Sequence, residues 1–556
     1  HKSTFREDAV VGAANPTTNS IAAAAAAAIP PPSAMSGASP RTRSPSRRSS
    51  PSAATRRVTL NVQVILSALL PCLPDPPFSA AARGTLFAAA ACRGGSREDR
   101  ISHLPKAVLS NIVSRLPAKD AARTTTLSTR WRRLWASTPL VLDDSDLVVF
   151  PDNEDLLRRG GPPRVNWTAV LNAVDRIITS HPGPFRSVHL TVCYMATHPG
   201  ELSRWLRILA AKRVEDLVFV SRPCPRHVLL PANVLRISSL RRLYLGFWYF
   251  PDLLPSTPRG PEIFPRLLEM GLCHTIISAD EIDHLLQCSP VLEKLAIILS
   301  YDGPTHVRVR SRSLRCVLFW MSKADELALV ATPRLDRLIL WQTCPGFPTG
   351  LFQTKLKIRD APELRVLGYL EPSIHELEIG NTVIQAGTRL SPANMVPSVK
   401  ILALKVRFGV RKETKMIPAF LRCFPGVETL HIMSEEADEP SGKCNLKFWQ
   451  EVAPIDCLEA GVKKVVFSQF RGKRQELAFL RFILGRAQML EKMVVVLANG
   501  DTASEDDETC TKVKTLATAK RASERPPTVL MVAREGDSVW SFHRASDLSI
   551  SDPFDG

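Results

Sequence analysis

The sequence predicts an α/β chain in which a unit of three short helices leads into an irregular solenoid with a curved parallel sheet, behind a disordered N-terminal extension. Three observations carry this. A six-residue phrase, apolar-x-x-apolar-x-apolar, recurs about twelve times after residue 185. Residues 100–135 hold three short apolar-striped segments separated by capping and helix-ending residues. Residues 1–97 are a low-complexity mixture of Ala, Ser, Pro and Arg, including PRTRSPSRRSSP from Pro40 to Pro51, with too little bulky apolar surface to offset the entropy of ordering.

The helical unit begins at Arg100. In RISHLPKAVLSNIVSRLP the residues Leu104, Val108, Leu109, Ile112, Val113 and Leu116 fall on one helical stripe; Pro105 suits the first turn and Pro117 ends it. Asp120 is an N-cap for a second helix, AARTTTL. Ser128 caps a third, in which Leu127, Trp131, Leu134 and Trp135 follow the i, i+4, i+7, i+8 pattern.

The repeated phrase runs from FRSVHL at Phe185 through LRRLYL at Leu240, LRCVLF at Leu314 and LDRLIL at Leu335 to LEKMVV at Leu490, with successive copies 21 to 35 residues apart. IHELEI at Ile374 would be an extra copy only ten residues after Leu364. Pro precedes several copies, as in FPRL, SPVL and TPRL, a turn feeding a strand. This period and phrase are the leucine-rich-repeat signature: the last two apolar residues alternate inward on a short strand, and neighbouring strands stack into a curved sheet. No Asn ladder follows the phrase and the spacers vary, so the outer helices should conform poorly.

Residues flanking the inward pair then project from the concave face, which places Tyr244, Leu318, Trp320, Ile339 and Trp341 there as candidates for contact with a target protein. Trp320 and Trp341 occupy equivalent places in adjacent repeats. A covering tail or helix, or a register shifted by one, would make them core instead. After Val496 come an acidic DTASEDDE, a helical TKVKTLATAKR, a strand-like TVLMV and the ending WSFHRASDLSISDPFDG, which ends or covers the array.

Composition excludes several classes. Of 556 residues 45% are hydrophobic and 23% charged, and the longest strictly apolar run, Ile21 to Ile29, is far below the roughly 18 residues of a membrane span. No membrane partner follows. Lys and Arg number 72 against 54 Asp and Glu, a net +18, of which residues 1–100 hold 12 against 5. The remainder is diffuse, so a solvated surface ranks above a nucleic-acid groove. The twelve cysteines include no C-x-x-C, and the closest two, Cys444 and Cys457, are thirteen apart, which suits reduced thiols in a reducing compartment. Cys273, His274, His284 and Cys288 come nearest to a metal cluster, yet read better as ordinary repeat residues; no metal is expected. There is no phosphate-binding glycine loop, H-E-x-x-H or G-x-S-x-G, so the chain reads as non-enzymatic and without a cofactor. Since residue 1 is His, N-terminal targeting is left open.

The segment LPKAVLSNIVSRLPAKDAARTTTLSTRWRRLW, Leu104 to Trp135, resembles the F-box of plant proteins, with Ala122 where a larger apolar residue is common. A second segment, Ile455 to Val496, resembles the FBD module that follows leucine-rich repeats in many plant F-box proteins. The resemblance implies an extension over 1–97, an F-box over 98–145, leucine-rich repeats over 146–452 and an FBD-like module with its tail over 453–556. It also implies a substrate-recognition subunit of a Skp-cullin-F-box ubiquitin ligase, nuclear and/or cytoplasmic. Its partners would be a Skp-type adaptor, through it a cullin, and an unidentified target protein. The residues matching the family's adaptor interface are Leu104, Pro105, Leu109, Ile112, Leu116, Pro117, Leu127, Trp131, Leu134 and Trp135. The alternative of a different class is a basic repeat scaffold or nucleic-acid-binding protein, in which Arg130, Arg132 and Arg133 would contact phosphates.

Overall fold

The structure, a computed structural model, describes residues 62–77, 101, 103–148, 166–195, 198–222, 228–252, 263–342, 353–437, 442, 446–498, 508–517, 521–532 and 540–555. Helix α1 (Val62–Leu69) precedes the three helices of the N-terminal unit, α2 (Lys106–Val113), α3 (Ala118–Arg123) and α4 (Thr129–Ser137). Ser128 caps α4 by accepting the Trp131 N–H, as the sequence requires, whereas α3 starts directly after Pro117, three residues earlier than an N-cap at Asp120 would place it.

Fourteen strands then form one sheet whose spatial order is the chain order, every neighbouring pair being parallel. After β1 (Leu140–Asp143) come helix α5 (Trp167–Ser180), β2 (Phe185–Leu190), α6 (Pro199–Ala211), β3 (Asp216–Val220) and β5 (Arg242–Gly246), a short ribbon of β4 (Val228–Leu229) and β6 (Trp248–Tyr249) lying beside them. The sheet continues through β7 (Glu269–Cys273), helix α7 (Ala279–Gln287), β8 (Lys294–Ile298), β10 (Cys316–Trp320), β12 (Arg337–Trp341) and β14 (Val366–Leu370). It ends with β17 (Ile401–Val406), α8 (Arg411–Cys423), β18 (Thr429–Ser434), α9 (Leu446–Glu451), α10 (Asp456–Ala460), β19 (Lys464–Phe470), α11 (Arg474–Arg486), β20 (Lys492–Leu497), α12 (Glu508–Ala517) and β21 (Thr528–Val532). All twelve copies of the phrase are strands of this sheet, and their inward pairs, such as Val317 with Phe319 or Leu338 with Leu340, are buried in one continuous core, except that in the copy at Leu364 a register shift turns Tyr369 to the concave layer and puts Leu370 in the core. The segment resembling an FBD supplies β19 and β20, so it extends the solenoid rather than standing apart.

The outer layer differs from a row of helices in the middle repeats. There β9 (His306–Arg310), β11 (Glu326–Ala331), β13 (Thr354–Ile358), β15 (His375–Ile379) and β16 (Thr382–Val383) form a second, five-stranded sheet. HVRVR, TKLKI and HELEI alternate strictly in sequence, and burial alternates with them in the first two, the signature of a half-buried strand; in HELEI Glu378 is buried as well, paired with Lys355. IHELEI is therefore a strand of this outer sheet and not an extra copy in the main one.

Turns between strand and helix are fixed by a device invisible to the phrase. Glu281, Glu413 and Glu476 each sit at the third position of their helix, are buried, and accept backbone N–H groups of the turn before it: Ser278 for the first, Arg407 for the second, Arg471 and Lys473 for the third. A carboxylate there satisfies donors that a helix start otherwise leaves orphaned. At the other end of the strands, charges alternate from repeat to repeat. Glu428 bridges Lys400 at 3.0 Å and Lys463 at 2.9 Å, and Asp336 binds Arg365 at 2.5 Å, so much of the cationic surface is paired locally.

One boundary is corrected. Residues 62–77, assigned by composition to a disordered extension, include α1 and a 3-10 turn at Leu70–Cys72, with Ile65, Leu66, Leu69 and Cys72 buried. They pack on the concave face of the sheet, so the apolar surface that orders them comes from strands more than 140 residues away. The rest of 1–97 lies outside the described residues.

Candidate functional site

The N-terminal unit divides its apolar stripe between two jobs. Leu109 and Val113 of α2 and Trp131 and Leu134 of α4 point into the core shared with β1 and α5, and are buried. Of the residues expected at the adaptor interface, Leu109, Trp131 and Leu134 are therefore buried in the free chain, where they hold the unit together. Leu104, Leu116, Pro117 and Trp135 are half-buried. Pro105, Ile112 (38% exposed) and Leu127 (65%) stand in solvent, joined by Val108 (43%) and Ile101 (56%), which the family comparison of residues did not single out. Val108 and Ile112 are one turn apart and share a face of α2, and Arg130 of α4 donates to the Leu104 carbonyl, which fixes the start of α4 beside the start of α2. These large aliphatic side chains give the unit an exposed apolar surface.

The unit is bolted to the solenoid. Trp135 meets His181 edge-on at 4.8 Å, and His181 meets Phe185 at 5.3 Å. Gly183 is required between them, since a Cβ there would lie 2.7 Å from His181 Nε2 and 2.8 Å from the Ala136 carbonyl. Asp144, after β1, takes the backbone N–H groups of Thr191, Val192 and Cys193 on one carboxylate, tying the first strand to the second repeat.

His181 makes this joint pH-sensitive. Burial, helped by the charge of Lys212, lowers its pKa to about 4, so the folded joint holds a neutral ring while the unfolded chain protonates near 6.5. The stabilisation is complete above pH 6.5 and is lost as pH falls from there towards 4. Replacing His181 with Phe is expected to flatten the loss of thermal stability below pH 6.5, by up to about 1.4 kcal/mol for each pH unit relative to the parent chain. Melting curves of the two proteins at pH 7.5, 6 and 5 check this; parallel pH profiles would remove His181 from the joint.

The concave face carries the second candidate surface. Tyr244, Leu318, Trp320, Ile339 and Trp341 all lie on it, on the opposite side of their strands from the inward pairs. Trp320 and Trp341 pair in register, with ring centroids 5.9 Å apart. None of the five is an open surface, however: the first four are buried and Trp341 is half-buried, under α1 at one end and residues 540–555, including helix α13 (Phe542–Ser546), at the other. Their expected role as an exposed target patch is corrected on that point. Tyr244 has a further tie, its hydroxyl donating to Glu269 at 2.7 Å.

Cys273 is buried on the concave face, while Cys288 Sγ lies 3.6 Å from His284 Nε2 one turn along the same helical segment, so these residues do not converge. Among the described residues no three His, Cys, Asp or Glu side chains are grouped to hold a metal, and no helix is long and apolar enough to cross a membrane.

Comparison with known families gives three matches along the chain: "F-box domain" over residues 101–142, "FBD-associated F-box protein At5g56370, LRR repeats" over 202–432, and "FBD" over 450–495. Among curated proteins, the chain is similar to an F-box/FBD/LRR-repeat protein of Arabidopsis thaliana, 23% identical over 431 residues that cover 74% of this chain and 94% of that one. It is also similar to an F-box/LRR-repeat protein of the same plant, 29% identical over 205 residues (36% of this chain, 60% of the relative). An FBD-associated F-box protein, again from Arabidopsis thaliana, is 27% identical over 413 residues, 71% of this chain and 98% of its own length.

Proposed function

We propose that this chain, which carries an F-box, leucine-rich repeats and an FBD in that order, is the target-recruiting subunit of a Skp-cullin-F-box ubiquitin ligase. The observation that carries the reading is the exposed aliphatic face of the F-box, with Ile112 and Leu127 in solvent while Leu109, Trp131 and Leu134 hold the helices in place behind it. The F-box binds a Skp-type adaptor, the adaptor links the chain to a cullin, and the repeats hold a target protein. The chain itself performs no bond chemistry: it raises the effective concentration of a target lysine at the conjugating machinery and orients it. A nuclear or cytoplasmic location belongs to the same proposal, and a fluorescent fusion tests it.

The first test is co-purification of the full chain with a plant Skp-type adaptor at low and high salt. Capture that survives high salt is expected, because an aliphatic interface is not screened. A folded chain that captures no adaptor would overturn the reading. Binding to nucleic acid that falls steeply with salt would favour the basic-scaffold alternative.

A further inference from the structure

The C-terminal segment, residues 540–555, lies across the concave face, and the manner in which it is held resembles a ligand more than a layer of the fold. Its described backbone N–H groups bond within the segment itself, Ala545 to Ser541, Asp547 to Arg544 and Ile550 to Asp547, and it adds no strand to the sheet. It is closed on itself: the Trp540 indole donates to the Pro553 carbonyl at 2.7 Å, and the Trp540 and Phe554 rings are 5.5 Å apart. Leaving the face would therefore break no ladder hydrogen bond of the solenoid.

The face meets the segment with three kinds of contact. Trp540 lies 4.9 Å from Trp320, 5.0 Å from Trp341 and 5.3 Å from Tyr369, so its ring sits in a box of three aromatics; Phe554 fits between Tyr369 at 5.0 Å and His431 at 5.5 Å. Arg337 is 2% exposed and donates to two main-chain carbonyls of the segment, Asp547 at 2.8 Å and Ile550. Its register neighbours on the concave layer are Cys316 and Val366, and its Nε lies 3.6 Å from the carboxylate of Asp336, which Arg365 binds as well. A guanidinium whose two terminal nitrogens both donate to main-chain oxygens reads peptide backbone without regard to side chain. At the far end His431 meets Asp552 at 3.0 Å and Lys464 meets Asp555 at 2.6 Å, a basic corner that takes carboxylates.

We propose that the concave face is a peptide groove and that residues 540–555 are its built-in occupant. A target segment of the same chemistry, with two aromatic anchors brought together by a loop and carboxylates beside the second, displaces it. The proposal deepens the target-recruiting role argued above. It accounts for the two main-chain bonds of Arg337, and it makes the exposure of Trp320 and Trp341 conditional on release of the segment.

Hydrogen exchange on the unmodified full chain is the first test. Amides of 540–555 are expected to open together, at least about tenfold more often than those of β12 and β14. Exchange of the segment only with those strands would overturn the proposal. The second test adds a labelled synthetic peptide of residues 540–555 to the full chain and to its Trp540→Ala/Phe554→Ala variant. The variant is expected to bind the peptide at least about tenfold more tightly than the parent, whose tethered segment competes at roughly millimolar effective concentration. Arg337→Ala in that background, or a peptide with both aromatics changed to Ala, should lose at least about tenfold. No binding by a folded variant, insensitivity to Arg337, or dimers that exchange their own segments would each overturn it. If the variant does not fold, the exchange experiment decides alone. Capture of the Skp-type adaptor, read on the same samples, separates failure of the groove from failure of the ligase reading.

Discussion

Changing Ile112 and Leu127 together to Asp is expected to reduce capture of a Skp-type adaptor by at least about 100-fold while leaving the melting curve of the chain in place. Both side chains are exposed in the free chain, so the substitutions remove little from the fold and create no buried charge in it. In a complex they would place two carboxylates in an aliphatic interface with no partner supplied, a cost that association cannot absorb. Trp131→Ala is the contrasting variant. Its ring is 6% exposed and packs in the core shared with Leu109, Leu134 and the first strand, so its truncation should cost about 3–5 kcal/mol of stability. It would lose capture by loosening the F-box. Pull-down and thermal melting of both variants tell these routes apart, and a double Asp variant that still binds would move the adaptor surface away from α2 and the start of α4.

That contrast also shows how far the sequence could be read. The stripe from Leu104 to Leu116 is visible because helical spacing is a local property, but which half of it is buried depends on where β1 and α5 arrive. The repeat phrase is legible for the same local reason: a strand alternates its sides, so Val317 and Phe319 go one way and Leu318 and Trp320 the other whatever lies beyond them. What covers the second side is a matter of distant chain. Residues 62–77 look like part of a low-complexity tract, and Trp540, Phe542 and Phe554 follow no period; each packs on strands more than a hundred residues away. The middle of the outer layer was legible in principle, since HVRVR, TKLKI and HELEI alternate plainly. The helix expected there came from the repeat family and not from those residues. The three buried glutamates at helix position three carry a spacing too short and too common to stand out before their turns are seen.

Gly271→Ala should destabilise the solenoid by about 3 kcal/mol, and its combination with Tyr244→Leu should cost less than the two changes added together. Gly271 lies on β7 in register with Tyr244 of β5 on one side and Ala296 of β8 on the other, all facing the concave layer. The Tyr244 ring lies over the glycine. A Cβ at 271 would come within 2.8 Å of Tyr244 Cγ and nearer still to Cδ1 and Cε1, closer than carbon atoms approach. The ring has nowhere to go, being 1% exposed and tethered through its hydroxyl to Glu269. Moving it forces a poor rotamer and leaves a buried hydrogen-bonding pair unmade, each worth roughly 1–3 kcal/mol. Leu at 244 removes the clash, so the glycine methyl is then tolerated and the coupling should be about 1–2 kcal/mol. Denaturant midpoints of the four proteins by far-UV circular dichroism measure it. Strict additivity would mean that the ring is free to move, and would return Tyr244 from a structural role to the recognition role first expected of it. Strong coupling would make Tyr244 a fixed part of the concave layer, held by Gly271 and Glu269 and with no surface to offer a partner.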